Sequence, residues 1–455
     1  MNASTNSNTI IILAFLLGAI LLAGGPLAGQ ATGATWYVNN GPTGSDSNSC
    51  LIASRPCATI SEAMNKAASG DTIQIAPNTY PGGFTISKDL TLKGTGRRTV
   101  ILGGSPVLTV ALGITATLRN LTITGSSALN GGIHNFGTLS VANCILRENG
   151  PASTGGGIYN AGTLDVTNTT FSGNSAFEGG AIYNGDGGVL TVTGCALSSN
   201  SATFGGGIMN ELRYTFKLGT VTVTDSSISA NGAANGGGIW NNGIVTVTRS
   251  TISGNAFGDQ GGGISNFGGV TVVNSTVSGN YATESRGFGA GILNYGSATL
   301  VMVNSTVSGN SALAEGGGIQ NINTSIGSAS LSNVLLAGNQ AAAYPDCIGT
   351  LSDGSGGHNL VGIGDGCGLA NGVNGAIVGT ASSPVNPLLG SLFPNGGPTL
   401  TLALQAQSPA IGMGDVATCL SRTLGVDNKD QRGFQRNTRI RRACDIGAYD
   451  TGGTR

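Results

Sequence analysis

The sequence is poor in charge, in histidine and in metal-ligand spacing. Charged residues make up only 9% of 455, there are two His, and the formal net charge is −1. Such a chain exerts no long-range pull on nucleic acid or on an anionic membrane surface, so no nucleic-acid partner is expected. No C-x-x-C pair and no Cys/His cluster occurs, so neither a zinc site nor a cofactor is expected. No strict glycine triplet runs through the chain, which excludes collagen. At 39% the hydrophobic content is too high for simple disorder.

What is present in excess is glycine, 79 residues of it, mixed with Asn, Ser, Thr and short β-branched runs. That mixture predicts an all-β chain with frequent turns. The single long apolar stretch is Ile10 to Ala28, followed by small residues at Gly29, Ala31 and Ala34. Residues 1–34 are therefore expected to be a secretory signal peptide. No Lys or Arg precedes the run, and it is nearly long enough to span a bilayer. An uncleaved segment is thus the one expected route to a membrane. Export to the medium or the cell surface follows.

The eight cysteines agree with an oxidising compartment. Cys50 and Cys57 are close, as are Cys347 and Cys367, and Cys419 and Cys444 bracket the tail. These six are candidate disulfide cysteines, although spacing leaves their connectivity open. Residues 35–70 read as an N-terminal cap. Thr59 to Glu62 has the form of a capping box, and Ile60, Ala63, Met64, Ala67 and Ala68 fall on one face of a helix that Gly70 ends. Such a helix is expected to cover the exposed edge of the first coil.

Residues 71–380 carry the repeat. Gly155 to Asn174, GGGIYNAGTLDVTNTTFSGN, shows its frame: a glycine run, an I-x-N triplet, an alternating strand, an Asn at a bend and a closing Asn. The I-x-N asparagines are Asn135, Asn160, Asn184, Asn210, Asn241, Asn266, Asn294 and Asn321. The closing asparagines are Asn149, Asn174, Asn200, Asn231, Asn255, Asn280, Asn310 and Asn339. Their spacing, mostly 24 to 31 residues, is that of a solenoid. Counting back from the closing Asn, positions ten, eight and three are apolar and predicted to point inward. Position six is Asn143, Asn168, Asn274 or Asn304, or else Gly194 or Asp225, types that tolerate a left-handed bend.

The predicted fold is a right-handed parallel β-helix, three short strands per coil, with the hand taken from the crossover preference. Both asparagine columns are expected to stack as amide ladders. About eleven or twelve coils at roughly 4.8 Å each make a rod of about 55 Å. Cys144 and Cys195 occupy one slot two coils apart, about 9.6 Å, beyond the reach of a disulfide. Both are predicted to be small buried thiols.

Three resemblances follow from quoted motifs. The opening, from W-Y-V-N-N through the G-S-D loop and A-T-I to G-D-T-I-Q-I-A-P-N-T-Y and L-T-L-K-G, resembles the start of secreted pectin-lyase-like β-helix proteins. FSGN (Phe171 to Asn174) with GGAI (Gly179 to Ile182) is similar to polymorphic outer-membrane-protein repeats, which implies a surface-exposed passenger. Over residues 381–455 and just before them, H-N-L-V-G, N-P-L-L-G, D-Q-R-G and C-D-I-G-A-Y-D resemble the choice-of-anchor Q-type region of secreted bacterial proteins. Only TGGTR follows Asp450, so secretion or loose surface association is expected.

Pectin-lyase-like enzymes need clustered carboxylates, or calcium-binding aspartates with a basic residue. Here Asp165, Asp186, Asp225 and Asp259 fall in different slots, and N-T-D, D-D and G-H-G are missing. His134 and His358 are expected to be solvated bystanders. Outward Thr pairs at Thr191/Thr193, Thr222/Thr224 and Thr246/Thr248 resemble the flat arrays of ice-binding β-helices, but Asp165 and Val273 interrupt them. Arg422, Lys429, Arg432, Arg436, Arg439, Arg441 and Arg442 read as a solvated tail partly paired with Asp427, Asp430 and Asp445. The expected function is a non-catalytic, adhesin-like surface rod whose partners are extracellular or envelope polysaccharides. A polysaccharide lyase or glycoside hydrolase of the same fold is the alternative.

Overall fold

The computed structural model describes residues 33–126, 129–185, 187–212, 217–323, 328–438 and 443–454. The expected signal segment, up to Thr32, lies outside the described residues, as do Asp186, Arg439, Arg441 and Arg442.

From Gly33 onward the chain is a parallel β-helix. Coil 155–180 shows the path. Ile158–Asn160 leads into Thr163–Thr167, the chain bends at Asn168, and Thr170–Ser172 follows. A short strand Ala176–Glu178 and a glycine corner then lead to Ile182–Asn184, one coil further on. Equivalent strands pair in parallel, without register shifts in these coils. The five-residue strands form a long-strand sheet of 13, the strands after the bend a bend sheet of 13, and the I-x-N strands an asparagine sheet of 11. A right-handed path is what parallel crossover connections take.

A fourth, partial sheet of six strands, from Ala152–Thr154 to Tyr281–Ala282, stands between bend and asparagine sheets. The middle coils therefore carry four strands instead of the expected three. These segments vary in length and composition from coil to coil, so no period marks them.

The main core is one continuous, mainly aliphatic column. Leu164, Val166 and Phe171, Leu190, Val192 and Leu197, and Val245, Val247 and Ile252 are all buried, each contributing about 1.5–3 kcal/mol relative to exposure. The bend residues Asn143, Asn168, Asp225, Asn274 and Asn304 all have φ between 46° and 54°, the left-handed region that Asn and Asp adopt most readily. Arg249 takes the same slot at φ 47°, held by a bidentate pair with Asp225, 2.8 Å from both Nε and Nη2. At the glycine corner the reason is close approach. A Cβ on Gly238 would lie 2.5 Å from the Gly263 carbonyl oxygen.

At the N-terminal end the strand Thr35–Val38 is already part of the long-strand sheet, paired with Thr72–Ile75. Helix α1 (Ile60–Lys66) buries Ile60, Ala63 and Met64 over it. Its cap differs from the capping box. Thr59 Oγ1 accepts from Glu62 N at 3.1 Å, but Thr59 N donates to Asp46, and Glu62 pairs with Lys66 instead. The helix also stops at Lys66, before Gly70.

At the other end the last solenoid strand is Ile377–Val378. The tail then doubles back. It forms a two-stranded hairpin, Leu389–Phe393 with Thr401–Leu404, and helix α2 (Val416–Leu420). It lies along the outer face of the bend sheet, where it buries Thr251, Thr276 and Thr306. Among the described residues no helix is long and apolar enough to cross a membrane.

Candidate functional site

Both asparagine columns occupy the solenoid interior. In the asparagine sheet each Nδ2 donates to the Oδ1 of the next coil, from Asn135 to Asn160 at 2.7 Å through Asn184, Asn210, Asn241, Asn266 and Asn294 to Asn321 at 2.8 Å. The closing column runs likewise from Asn149 through Asn174, Asn200, Asn231, Asn255, Asn280 and Asn310 to Asn339, at 2.8–3.0 Å. It ends on a carboxylate: Asp346 accepts from Asn339 N and Nδ2 and from Ile363 N. Burial pushes the Asp346 carboxyl up, against the pull of those three donors.

A third ladder went unread in the sequence. In the slot of Cys144 and Cys195, each backbone N–H donates to the next coil's side chain. The order is Cys144 to Thr169, Thr169 to Cys195 Sγ, Cys195 to Ser226, Ser226 to Ser250, Ser250 to Ser275 and Ser275 to Ser305. The two cysteines are unpaired and buried, and burial pushes each thiol up to about 11. They are inert acceptors, since the thiolate is the reactive form. Disulfides join Cys50 to Cys57, Cys347 to Cys367 and Cys419 to Cys444, with Cα separations of 5.1, 5.4 and 6.6 Å.

The expected bystanders are placed differently. His134 is half-buried rather than freely solvated. Its ring packs on Tyr159 and Phe136, its Nε2 is buried without a hydrogen bond, and burial lowers its pKa. His358 is half-buried in a left-handed turn, its Nδ1 2.7 Å from the Gly356 carbonyl oxygen. Two residues of the basic tail, Arg432 and Arg436, are not solvated either. Arg436 is 3% exposed and donates to the carbonyls of Lys429, Asp445 and Gly447 and to Asn274 Oδ1. Arg432 is clamped on Asp430 at 2.6 Å and lies over Phe434 and Tyr449. Among the described residues of the tail, Arg422, paired with Asp427, and Lys429 are exposed.

The D-Q-R-G and C-D-I-G-A-Y-D motifs are the docking residues of the tail. Gln431 is fully buried and bonds Thr276, Thr251, Ser250 and Thr399. Asn333 exchanges hydrogen bonds with Asp415, and Ala448 N donates to Thr306.

Among the described residues, three surfaces of the solenoid are open to a ligand. The long-strand sheet lines up Thr117, Ser140, Asp165, Thr191, Thr222, Thr246 and Thr271 in register, with one charge in seven coils. A cleft of about 330 Å³ on the bend sheet is lined by Arg97, Thr122, Ile145, Arg147, Thr170 and Ser172. Aromatic rings follow one another along the asparagine and partial sheets. Asp165 stands exposed on its column, Asp225 is tied to Arg249, and Asp259 sits beside Gln260 on the partial sheet. Among the described residues no three His, Cys, Asp or Glu are placed to hold a metal ion.

These features define a class, the parallel β-helix proteins. Comparison with known proteins gives the hand directly: a family model described as "Right handed beta helix region" matches residues 154–340. No curated protein matches the chain. Among solved structures, the crystal structure of pectate lyase Pel9A is similar at 17% identity and a TM-score of 0.48. The likeness covers 93% of this chain and 97% of that one, and it says nothing of this chain's chemistry.

Proposed function

We propose that the protein is an exported, non-catalytic surface rod, adhesin-like, that binds extracellular or envelope polysaccharide. One observation carries the reading. Outward positions repeat in register over seven and more coils, and a surface that repeats itself suits a ligand that repeats itself. The three disulfides fit an oxidising compartment, and the choice-of-anchor-like motifs fit a cell-surface address.

The alternative, a polysaccharide lyase or hydrolase, is favoured by the cleft of Arg97 and Arg147, whose guanidinium groups suit acidic sugars. The carboxylate beside it, Glu148, lies 3.6 Å from Arg147. A polysaccharide panel separates the two readings when binding, unsaturated products and new reducing ends are all followed. Binding without turnover is expected. Release of unsaturated oligosaccharides from an acidic polymer overturns the non-catalytic reading.

A further inference from the structure

Aromatic residues are scarce, 5% of the chain, and the solenoid core is filled mainly by aliphatic side chains. Yet five rings stand on the outer surface, one on each of five successive coils. Phe177 and Phe204 are on the partial sheet, and Trp240, Phe267 and Tyr295 continue across the corner on or beside the asparagine sheet. Neighbouring ring centroids are 5.8, 6.2, 5.4 and 5.5 Å apart. Phe177 is 55% and Tyr295 43% exposed, and the three between are half-buried.

The strip arises from an alternation between the two positions that flank the inward asparagine. In I-x-N-y, where the x residue is small or aliphatic the ring sits at y, as in Ser265/Phe267 and Leu293/Tyr295. Where y is polar the ring sits at x, as in Trp240/Asn242. No charged residue occupies either position in the coils of Trp240, Phe267 and Tyr295, whereas Glu211 stands at y in the coil of Phe204.

We propose that this strip is the binding site for a single chain of neutral, linear, β-linked polysaccharide lying along the solenoid axis. This rests on the polysaccharide reading above and deepens it. The C–H face of a pyranose is apolar and slightly positive, and it stacks on the negative face of an aromatic ring. The rings advance by about one coil each, near the length of one pyranose residue, so consecutive sugars meet consecutive rings. Edge contacts between neighbours hold the rings in place before binding, which lowers the ordering cost. The strip is one ring wide, and the half-buried Asn242 beside it suits hydroxyl groups. A stable protein partner would need an apolar centre within about 1,000 Å² or more. The charges that adjoin the strip, Glu178, Glu211 and Glu315, are acidic, which disfavours an acidic glycan against a neutral one. Five rings span roughly 19 Å at about 4.8 Å per coil, so a hexasaccharide covers them.

Trp240 is one of only two tryptophans, and the other, Trp36, is tied to Asp71 at the N-terminal end. Its emission therefore reports on the strip. The full chain is titrated with cellohexaose, xylohexaose, mannohexaose and a galacturonate hexamer. The expected result is a saturable change in emission with at least one neutral hexasaccharide, independent of salt. Affinity should fall at least tenfold in Phe267→Ala and in Tyr295→Ala, both surface substitutions, with melting temperature unchanged. In Trp240→Phe the emission change should vanish while calorimetric binding persists. Neutral-glycan binding that survives Phe267→Ala/Tyr295→Ala overturns the strip and leaves the polysaccharide reading standing. Binding confined to the galacturonate also overturns the strip. If no polysaccharide binds and the same variants abolish self-association, both readings fall.

Discussion

Gln431 Oε1 accepts a 2.6 Å hydrogen bond from Thr276 Oγ1, across 155 residues of sequence. The same side chain donates to the Ser250 carbonyl oxygen, Thr251, Thr399 and the Leu400 carbonyl oxygen, so one amide ties the tail to two coils. Replacing it by Leu leaves Thr276, Thr251 and Thr399 without that partner in a buried interface. Each such loss costs about 1–3 kcal/mol. The tail of Gln431→Leu should open ahead of the solenoid. Limited proteolysis checks this: early cuts within residues 381–438 with the coils intact are expected, and simultaneous digestion of both parts would contradict it.

The closing asparagines are predicted to be the costliest polar residues to truncate. Asn231 accepts from Asn200 N and Nδ2 and donates to Asn255 Oδ1 and the Leu197 carbonyl oxygen. Asn231→Ala therefore strands buried partners on two coils, an expected loss of about 3 kcal/mol. Asn231→Asp should be worse at neutral pH, because a carboxylate cannot donate to either oxygen. Denaturant unfolding gives both values. A loss below that of an exposed control, Thr222→Ala, would show that the ladder contributes nothing.

Much of this architecture was legible because single positions repeat. The inward Val and Leu, the asparagine columns and the left-handed bends each recur at a fixed offset, so their chemistry could be read from one coil and checked on the next. The slot of Cys144 was also identified, but not its ladder. Thr, Ser and Cys share little except an atom that can accept a hydrogen bond, and the donor is a backbone group that the sequence does not display. Arg249 at a bend was missed because its type argues against a left-handed conformation, which only Asp225 one coil away makes tolerable. The aromatic strip was hidden by its alternation between two positions and its passage across a corner. Tail docking was illegible for another reason. Its partners lie up to 181 residues apart and are plain threonines, indistinguishable in sequence from solvated ones.

The unpaired cysteines act as ladder rungs, and that separates two substitutions. Cys195 Sγ accepts from Thr169 N at 3.4 Å. Cys195→Ser retains an acceptor in the slot that other coils fill with Ser226 and Ser250, so stability should stay within about 1 kcal/mol of the parent. Cys195→Val removes the acceptor and orphans the Thr169 N–H, at about 1–3 kcal/mol. With their thiols pushed up to about 11, Cys144 and Cys195 should resist a thiol reagent at neutral pH until the chain unfolds. Rapid labelling of the native protein would place them at the surface.

The two ends of the solenoid should respond oppositely to acid. At the N-terminal end burial raises the pKa of Asp71, but hydrogen bonds from Trp36, Ala68 and Ala34 and the nearby Lys88 outweigh it, so the net shift is downward from 3.8. A carboxyl lowered on folding contributes stability that is present above its ordinary value and lost as pH falls through the folded value. At the far end Asp346 is shifted upward from 3.8, burial being the largest cause. A raised carboxyl contributes stability that is full below the ordinary value and lost as pH rises through the folded one. Protonation below about pH 4 should therefore loosen the strand Thr35–Val38 and helix α1, while the coil of Asn339 and Asp346 keeps its protection. Hydrogen exchange corrected for intrinsic rates, followed from about pH 6 to about pH 3, measures both ends in one sample. Asp71→Asn should abolish the acid response of the N-terminal end alone. Earlier loosening around Asp346 than around Asp71 would reverse the assignment.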